Sequence, residues 1–159
     1  MSPTKTILFL TLSIFFSSCS SGPKVKEQTG VFGENWKLLT QEDSSATYTN
    51  SKTGSIISKQ SFCGQQKDMN SQELHKSLLK KLALVEMIFR EENEVNKIIT
   101  VRSHFQGVIN ENLSFLAITT YRDHRCVYDV SLISQRKERF EDDLEVYNDF
   151  LEFELNQFK

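Results

Sequence analysis

The chain has 159 residues, a formal net charge of −2, three cysteines and an aromatic share of 11%, dominated by twelve phenylalanines. That length fits one domain with a short appendage. The slightly acidic balance excludes a nucleic-acid-binding surface, which needs a basic patch or stripe.

Residues 1–18 read as a signal peptide. Lys5 precedes an apolar run over residues 7–16, half the length needed to span a bilayer. Ser17 and Ser18 then set small side chains before Cys19. This arrangement resembles the bacterial lipobox, whose cysteine becomes the diacylated N-terminus of the mature protein. Phe16 stands where that pattern prefers Leu, Val or Ile. An ordinary secretory signal cut near Ser18 or Ser20, or an uncleaved anchor, are the other readings. Ser20, in place of Asp, resembles the sorting signal for the outer membrane of Gram-negative bacteria. The expectation is therefore a chain held to the membrane through acyl groups on Cys19, facing the periplasm. More than one acyl chain is needed for stable anchoring.

Loss of residues 1–18 removes Lys5 and no acid, so the mature charge becomes −3. Cys63 and Cys126 then remain, an even count in an exported chain. They either pair in a disulfide, the favoured reading in an oxidising compartment, or stay as two buried thiols. Two isolated cysteines lack the close ligand spacing of a zinc site, so no metal is expected. Residues 19–33 are polar, hold three glycines and a proline, and lack periodicity. They read as the lipidated cysteine followed by a flexible tether, leaving residues 34–159 as a single domain.

Trp36, Leu38 and Leu39 mark a first short strand, with Trp36 as a core anchor. Residues 46–50 form a second strand around Tyr48. Ser51-Lys52-Thr53-Gly54 is a turn, with Gly54 where a positive φ is favoured, and residues 55–63 return. Ser71, preceded by Asn70, is a helix N-cap candidate. Leu74, Leu78, Leu79 and Leu82 follow at helical spacing, with Lys76, Lys80 and Lys81 on the outer face. Residues 85–90 are ambiguous and lean to a strand from Glu86, and residues 91–94 read as a polar turn.

In residues 97–109 the odd positions Ile99, Val101, Phe105 and Ile109 are apolar and the even positions Arg102, His104 and Gln106 polar, the pattern of a half-buried strand. Asn110-Glu111-Asn112 is a hairpin turn. The next strand, residues 113–121, carries Leu113, Phe115, Ala117 and Tyr121 on one face and Leu116 and Ile118 on the other, so both faces are expected to be covered. After a turn at residues 122–125, Cys126, Tyr128, Val130 and Leu132 alternate along a third strand of an antiparallel meander.

Residues 138–158 give the longest helical pattern. Phe140, Leu144, Tyr147, Leu151, Leu155 and Phe158 form one apolar stripe, widened by Phe150 and Phe153. Glu138, Asp142, Glu145, Asp149 and Glu152 form an acidic stripe opposite. Two helices and about six antiparallel strands make an α+β domain in which helices cover a sheet.

Trp36, Thr53-Gly54-Ser55, Cys63, and Cys126-Val127-Tyr128-Asp129 followed by the Phe-rich helix together resemble small bacterial lipoproteins with a PsbP-like α/β/α sandwich. The likeness runs from Trp36 to Phe158. It implies a fold and an envelope location, and no reaction. The wider fold serves mostly in assembly factors and protein-binding modules.

No glycine-rich phosphate loop, nucleophile elbow or metal motif is present, so neither an enzyme nor a cofactor is expected. His75, His104 and His124 share no ligand spacing and read as surface residues. Tyr121-Arg122-Asp123-His124-Arg125-Cys126 is the densest cluster of reactive side chains. A Cys–His nucleophile pair there competes with a binding tip presenting two arginines and with a plain solvated turn. The acidic stripe is the strongest candidate partner surface, since a column of carboxylates attracts a basic protein. The other reading is a plain solvated helix face, whose first acids suit the helix dipole. The expected function is a non-enzymatic interaction or assembly module of the envelope. The alternative is a lipid- or small-ligand-binding accessory of envelope transport, with a cavity built from Phe105, Phe115, Leu144 and Phe150.

Overall fold

The computed structural model describes residues 32–64, 70–80, 83–109 and 111–158. The expected signal peptide, Cys19 and most of the tether lie outside the described residues, as do Lys81 and Leu82. In chain order come β1 (Trp36–Glu42), β2 (Ser45–Asn50), β3 (Ile56–Cys63), α1 (Ser71–Leu79), β4 (Ala83–Val95), β5 (Ile98–Ile109), β6 (Asn112–Arg122), β7 (Cys126–Ser134) and α2 (Lys137–Asn156). The strands form one antiparallel sheet in the order β1-β2-β3-β7-β6-β5-β4. α1 packs over β5, β6 and β7, while α2 packs over β6 and β7.

The sheet has seven strands where about six were expected. The ambiguous stretch is β4, and it runs on through residues 91–94, which sequence reading had made a turn. As an edge strand β4 pairs with β5 alone. Charged side chains on an edge strand discourage pairing with other chains, so Glu91, Glu92 and Glu94 suit a strand there. The true reversal is Asn96-Lys97, between the partners Val95 and Ile98. Both turn residues have positive φ, 53° and 67°, as a two-residue type I′ hairpin requires.

The α2 side holds the larger core. Ile57, Ala117, Tyr121, Val130 and Leu132 from the sheet meet Phe140, Tyr147, Phe150, Leu151 and Leu155 from the helix. Phe32 belongs to this core, within 4.2 Å of Tyr48 and 5.0 Å of Phe150 between ring centroids. Phe32, which falls within the expected tether, is thus part of the domain core, because an aromatic ring with a hydrophobic seat available does not stay in water. Trp36 is buried as expected. Phe153, expected to widen the apolar stripe, points outward at 40% exposure.

The α1 side has a small apolar cluster of Phe105, Leu116 and Ile118, against which Leu78 and Leu79 pack. β6 accordingly carries apolar side chains on both faces, as its sequence predicted. The even face of β5 is covered too: His104 lies 5.7 Å from the Phe140 ring and Arg102 donates to the Asn148 side-chain Oδ1 at 2.6 Å. α1 begins one residue after its cap. Asn70, rather than Ser71, is the N-cap: its side chain accepts from the Glu73 N–H at 2.8 Å and the Glu73 carboxylate accepts from the Asn70 N–H at 3.2 Å. This reciprocal pair satisfies two backbone donors at once.

Cys63 and Cys126 are register partners on β3 and β7 and form a disulfide. Two buried charged groups on α2 had no mark in the helical pattern. Asp143 accepts from Asn50 Nδ2 at 2.8 Å and from the Thr53 hydroxyl at 2.6 Å, fastening the start of α2 to the β2–β3 turn. Glu154 is bonded to the Lys59 ammonium and accepts from the Tyr121 hydroxyl at 3.4 Å. Burial and the Glu154 carboxylate hold the Tyr121 phenol well above its ordinary pKa.

Candidate functional site

The phenylalanines expected to line a ligand cavity are divided between the two faces of the sheet. Phe105 packs beneath α1, whereas Phe115, Phe150 and Leu144 belong to the α2 core. They fill close-packed interior and cannot share one chamber.

The acidic stripe falls where its spacing placed it. Glu138, Asp142, Glu145, Asp149 and Glu152 are all exposed. The opposite face of α2 is spent on the core, so the helix cannot roll. None of the five carboxylates makes a hydrogen bond or ion pair among the described residues. Their neighbour Glu141 pairs with Lys137 at 3.8 Å.

The histidines differ from their sequence reading in two cases of three. His75 is only 1% exposed, under α1, with Nε2 2.8 Å from the Ser103 hydroxyl and Nδ1 3.5 Å from Thr120 Oγ1. Thr120 donates to the Ser71 carbonyl at 2.9 Å, so the group ties α1 to β5 and β6. Burial, helped by the Arg90 charge, pulls the His75 pKa down to about 4. His104 is half-buried between Phe89 and Phe140, and burial together with Arg102, opposed by Glu91, lowers it to about 4. His124 is exposed in its turn, as expected. No three His, Cys, Asp or Glu side chains gather into a possible metal site among the described residues.

The cluster at residues 121–126 is divided by the fold. Tyr121 is buried and stacks on Tyr128 at 4.9 Å. Cys126 is committed to the disulfide and offers no thiolate. Asp123 organises the turn: one carboxylate oxygen accepts from the N–H groups of Arg125 and Cys126 at 2.7 and 2.6 Å, and the other accepts from the Tyr128 hydroxyl at 3.2 Å. Arg122, His124 and Arg125 are left on the wall of an open cleft of about 820 Å³. The β4–β5 turn supplies Lys97 to the same cleft, the first turn of α1 forms another wall, and Phe158 closes the end. Sequence reading missed Lys97, because it placed the reversal at residues 91–94 and began the next strand at Lys97 itself. The cue was Asn96 flanked by Val95 and Ile98, an Asx-led two-residue hairpin.

All strands antiparallel, one helix on each face and a disulfide joining β3 to β7 make a recognisable sandwich. The fold is PsbP-like. The cyanobacterial PsbP (CyanoP) of Synechocystis matches it with a TM-score of 0.51 at 6% sequence identity, over 74% of this chain and 79% of that one. A Pseudomonas aeruginosa protein of unknown function matches with a TM-score of 0.50 at 11% identity, over 74% of this chain and 78% of that one. No family model matches the sequence, and no curated protein matches it. At such identities the likeness is one of fold.

Proposed function

We propose that this protein is a non-enzymatic interaction module of the cell envelope, tethered through acyl groups on Cys19, which docks a basic protein partner on the outward stripe of α2. The observation that carries this reading is the rigid display of five exposed carboxylates with no ion pair among the described residues, on a helix whose other face is locked in the core. Such a column steers a positive surface toward it and fixes its register. The short apolar leader and the small residues before Cys19 support the envelope and its outer membrane as the location.

Crosslinking in intact cells, followed by mass spectrometry, tests the docking. The wild-type chain should recover a basic partner in defined ratio. A variant carrying Asp142→Asn, Glu145→Gln, Asp149→Asn and Glu152→Gln should fold normally and recover roughly tenfold less. Equal recovery by the two proteins would return the stripe to a solvated helix face. Cys19→Ala should abolish fatty-acid labelling, and a labelled variant would end the anchoring half of the proposal.

A further inference from the structure

We propose that the cleft between the β4–β5 and β6–β7 hairpins binds the phosphate group of a small amphiphilic ligand. Its charge comes from Lys97 on one hairpin and Arg122 and Arg125 on the other. None of these three side chains makes a hydrogen bond or ion pair among the described residues, in a chain whose net charge is −2. The two acids in the same cleft are otherwise engaged. Glu92 accepts from Gln72 Nε2 at 2.7 Å, and both oxygens of Asp123 serve the turn and Tyr128.

Lys97 is there at a cost to the fold. It occupies the second central position of a type I′ turn at φ 67°, where glycine is the unstrained choice. Residues kept in this region against local preference are a recognised mark of functional sites. Turn formation does not need the ammonium, and no protein group among the described residues receives it.

Two guanidinium groups and an ammonium offer more donors than one carboxylate can accept, and suit a phosphate with its several acceptor oxygens. The cleft is larger than a bare phosphate needs and falls in the size range of small-molecule sites. Ile98, Ile99 and Phe158 line it with apolar surface, and Ile99 is 52% exposed. The ligand class is therefore a phosphate joined to a ring or short apolar chain, either as a free phosphorylated solute or as a lipid headgroup.

The test is an amide-resolved NMR titration of the full chain in detergent micelles with phenyl phosphate, inorganic phosphate and dihexanoyl phosphatidylglycerol. Phenyl phosphate should shift the amides of residues 96–99 and 122–125 and bind about fivefold more tightly than inorganic phosphate, since its ring buries apolar area. Tighter binding of the short-chain lipid would assign the site to a headgroup; tighter binding of phenyl phosphate would assign it to a soluble ligand. Arg122→Gln with Arg125→Gln should weaken phenyl phosphate by about a hundredfold, roughly tenfold for each charge-assisted hydrogen bond lost. Lys97→Gly should weaken it several-fold while raising the melting temperature, a combination that damage to the fold cannot produce. The variant with the neutralised α2 stripe should bind as the wild type does, which keeps this test separate from that of partner docking. Absence of shifts in both hairpins, or wild-type affinity in both the Lys97 and the arginine variants, would overturn the proposal.

Discussion

The two faces of the sheet are built on different principles. Beneath α2, a twenty-residue helix covers a continuous layer of aromatic and aliphatic side chains. Beneath α1, a nine-residue helix covers a small apolar cluster around Phe105, Leu116 and Ile118 and a polar group of His75, Ser103 and Thr120. Apolar burial is non-directional and scales with area, so the α2 face holds the fold across a wide range of conditions. The α1 face depends more on directional bonds, whose strength changes with protonation. The difference teaches that the α2 face adds its polar contacts, Asp143, Glu154 and the half-buried His104, to a large apolar layer, whereas the α1 face places its fully buried histidine beneath a short helix with little apolar area to spare.

The largest expected effect breaks the α2 face. Phe150 is fully buried, and Phe150→Ala should lower the unfolding free energy by about 3–5 kcal/mol, measured by urea denaturation. A loss under 1 kcal/mol would mean that this layer can collapse around the void. Next comes the buried ion pair on the same face. Lys59→Met leaves Glu154 buried beside Tyr121 without its cation and should cost about 3 kcal/mol. Adding Glu154→Leu should restore much of that loss, and a double variant no better than Lys59→Met would show that the pair's worth is packing alone.

The pH dependence sharpens the contrast from the α1 side. Above the ordinary histidine pKa of 6.5, His75 is neutral whether folded or unfolded and contributes no slope. As pH falls below 6.5, the unfolded chain gains a proton that the folded chain refuses until about pH 4. Stability should therefore drop through that window by up to about 3 kcal/mol. Denaturation at a series of pH values should show His75→Gln with a shallower decline than the wild type. His104, also lowered to about 4 but only half-buried, adds a smaller share with the same sign. An unchanged slope in His75→Gln would move the effect to other groups. The smallest effect is local. Asn70→Ala removes the capping box of α1 and should cost about 1 kcal/mol, seen as faster hydrogen exchange in α1 with α2 unaffected.

Long periodic stretches were legible. The stripe of α2 and the alternation in β6 and β7 placed most core residues, because those elements bury whole faces, while Leu113 at the start of β6 and Phe153 on α2 are exposed. His75 was misread as a surface residue for its place beside Lys76, yet Ser71, Leu74, His75 and Leu78 share one helical face by their spacing. β4 was obscured because an edge strand needs no alternation and tolerates glutamates. Glu154 could not be read as buried at all: its partner Lys59 lies 95 residues away and is brought near only by the fold. The cleft has the same origin, since four short segments distant in sequence meet at one end of the sheet.

The sheet order gives the Cys63–Cys126 bond a mechanical role. β1, β2 and β3 join the other strands only through the β3–β7 seam, and the disulfide locks the last pair of that seam, where β3 leaves the sheet toward α1. Tension entering near Phe32 can peel β1, β2 and then β3, but at Cys63 it crosses directly to β7. α1, β4, β5 and β6 lie inside the covalent loop and stay out of the load path, and Lys97, Arg122 and Arg125 stay with them. A chain pulled from its N-terminal side would thus surrender its first three strands while the basic residues of the cleft stay inside the covalent loop.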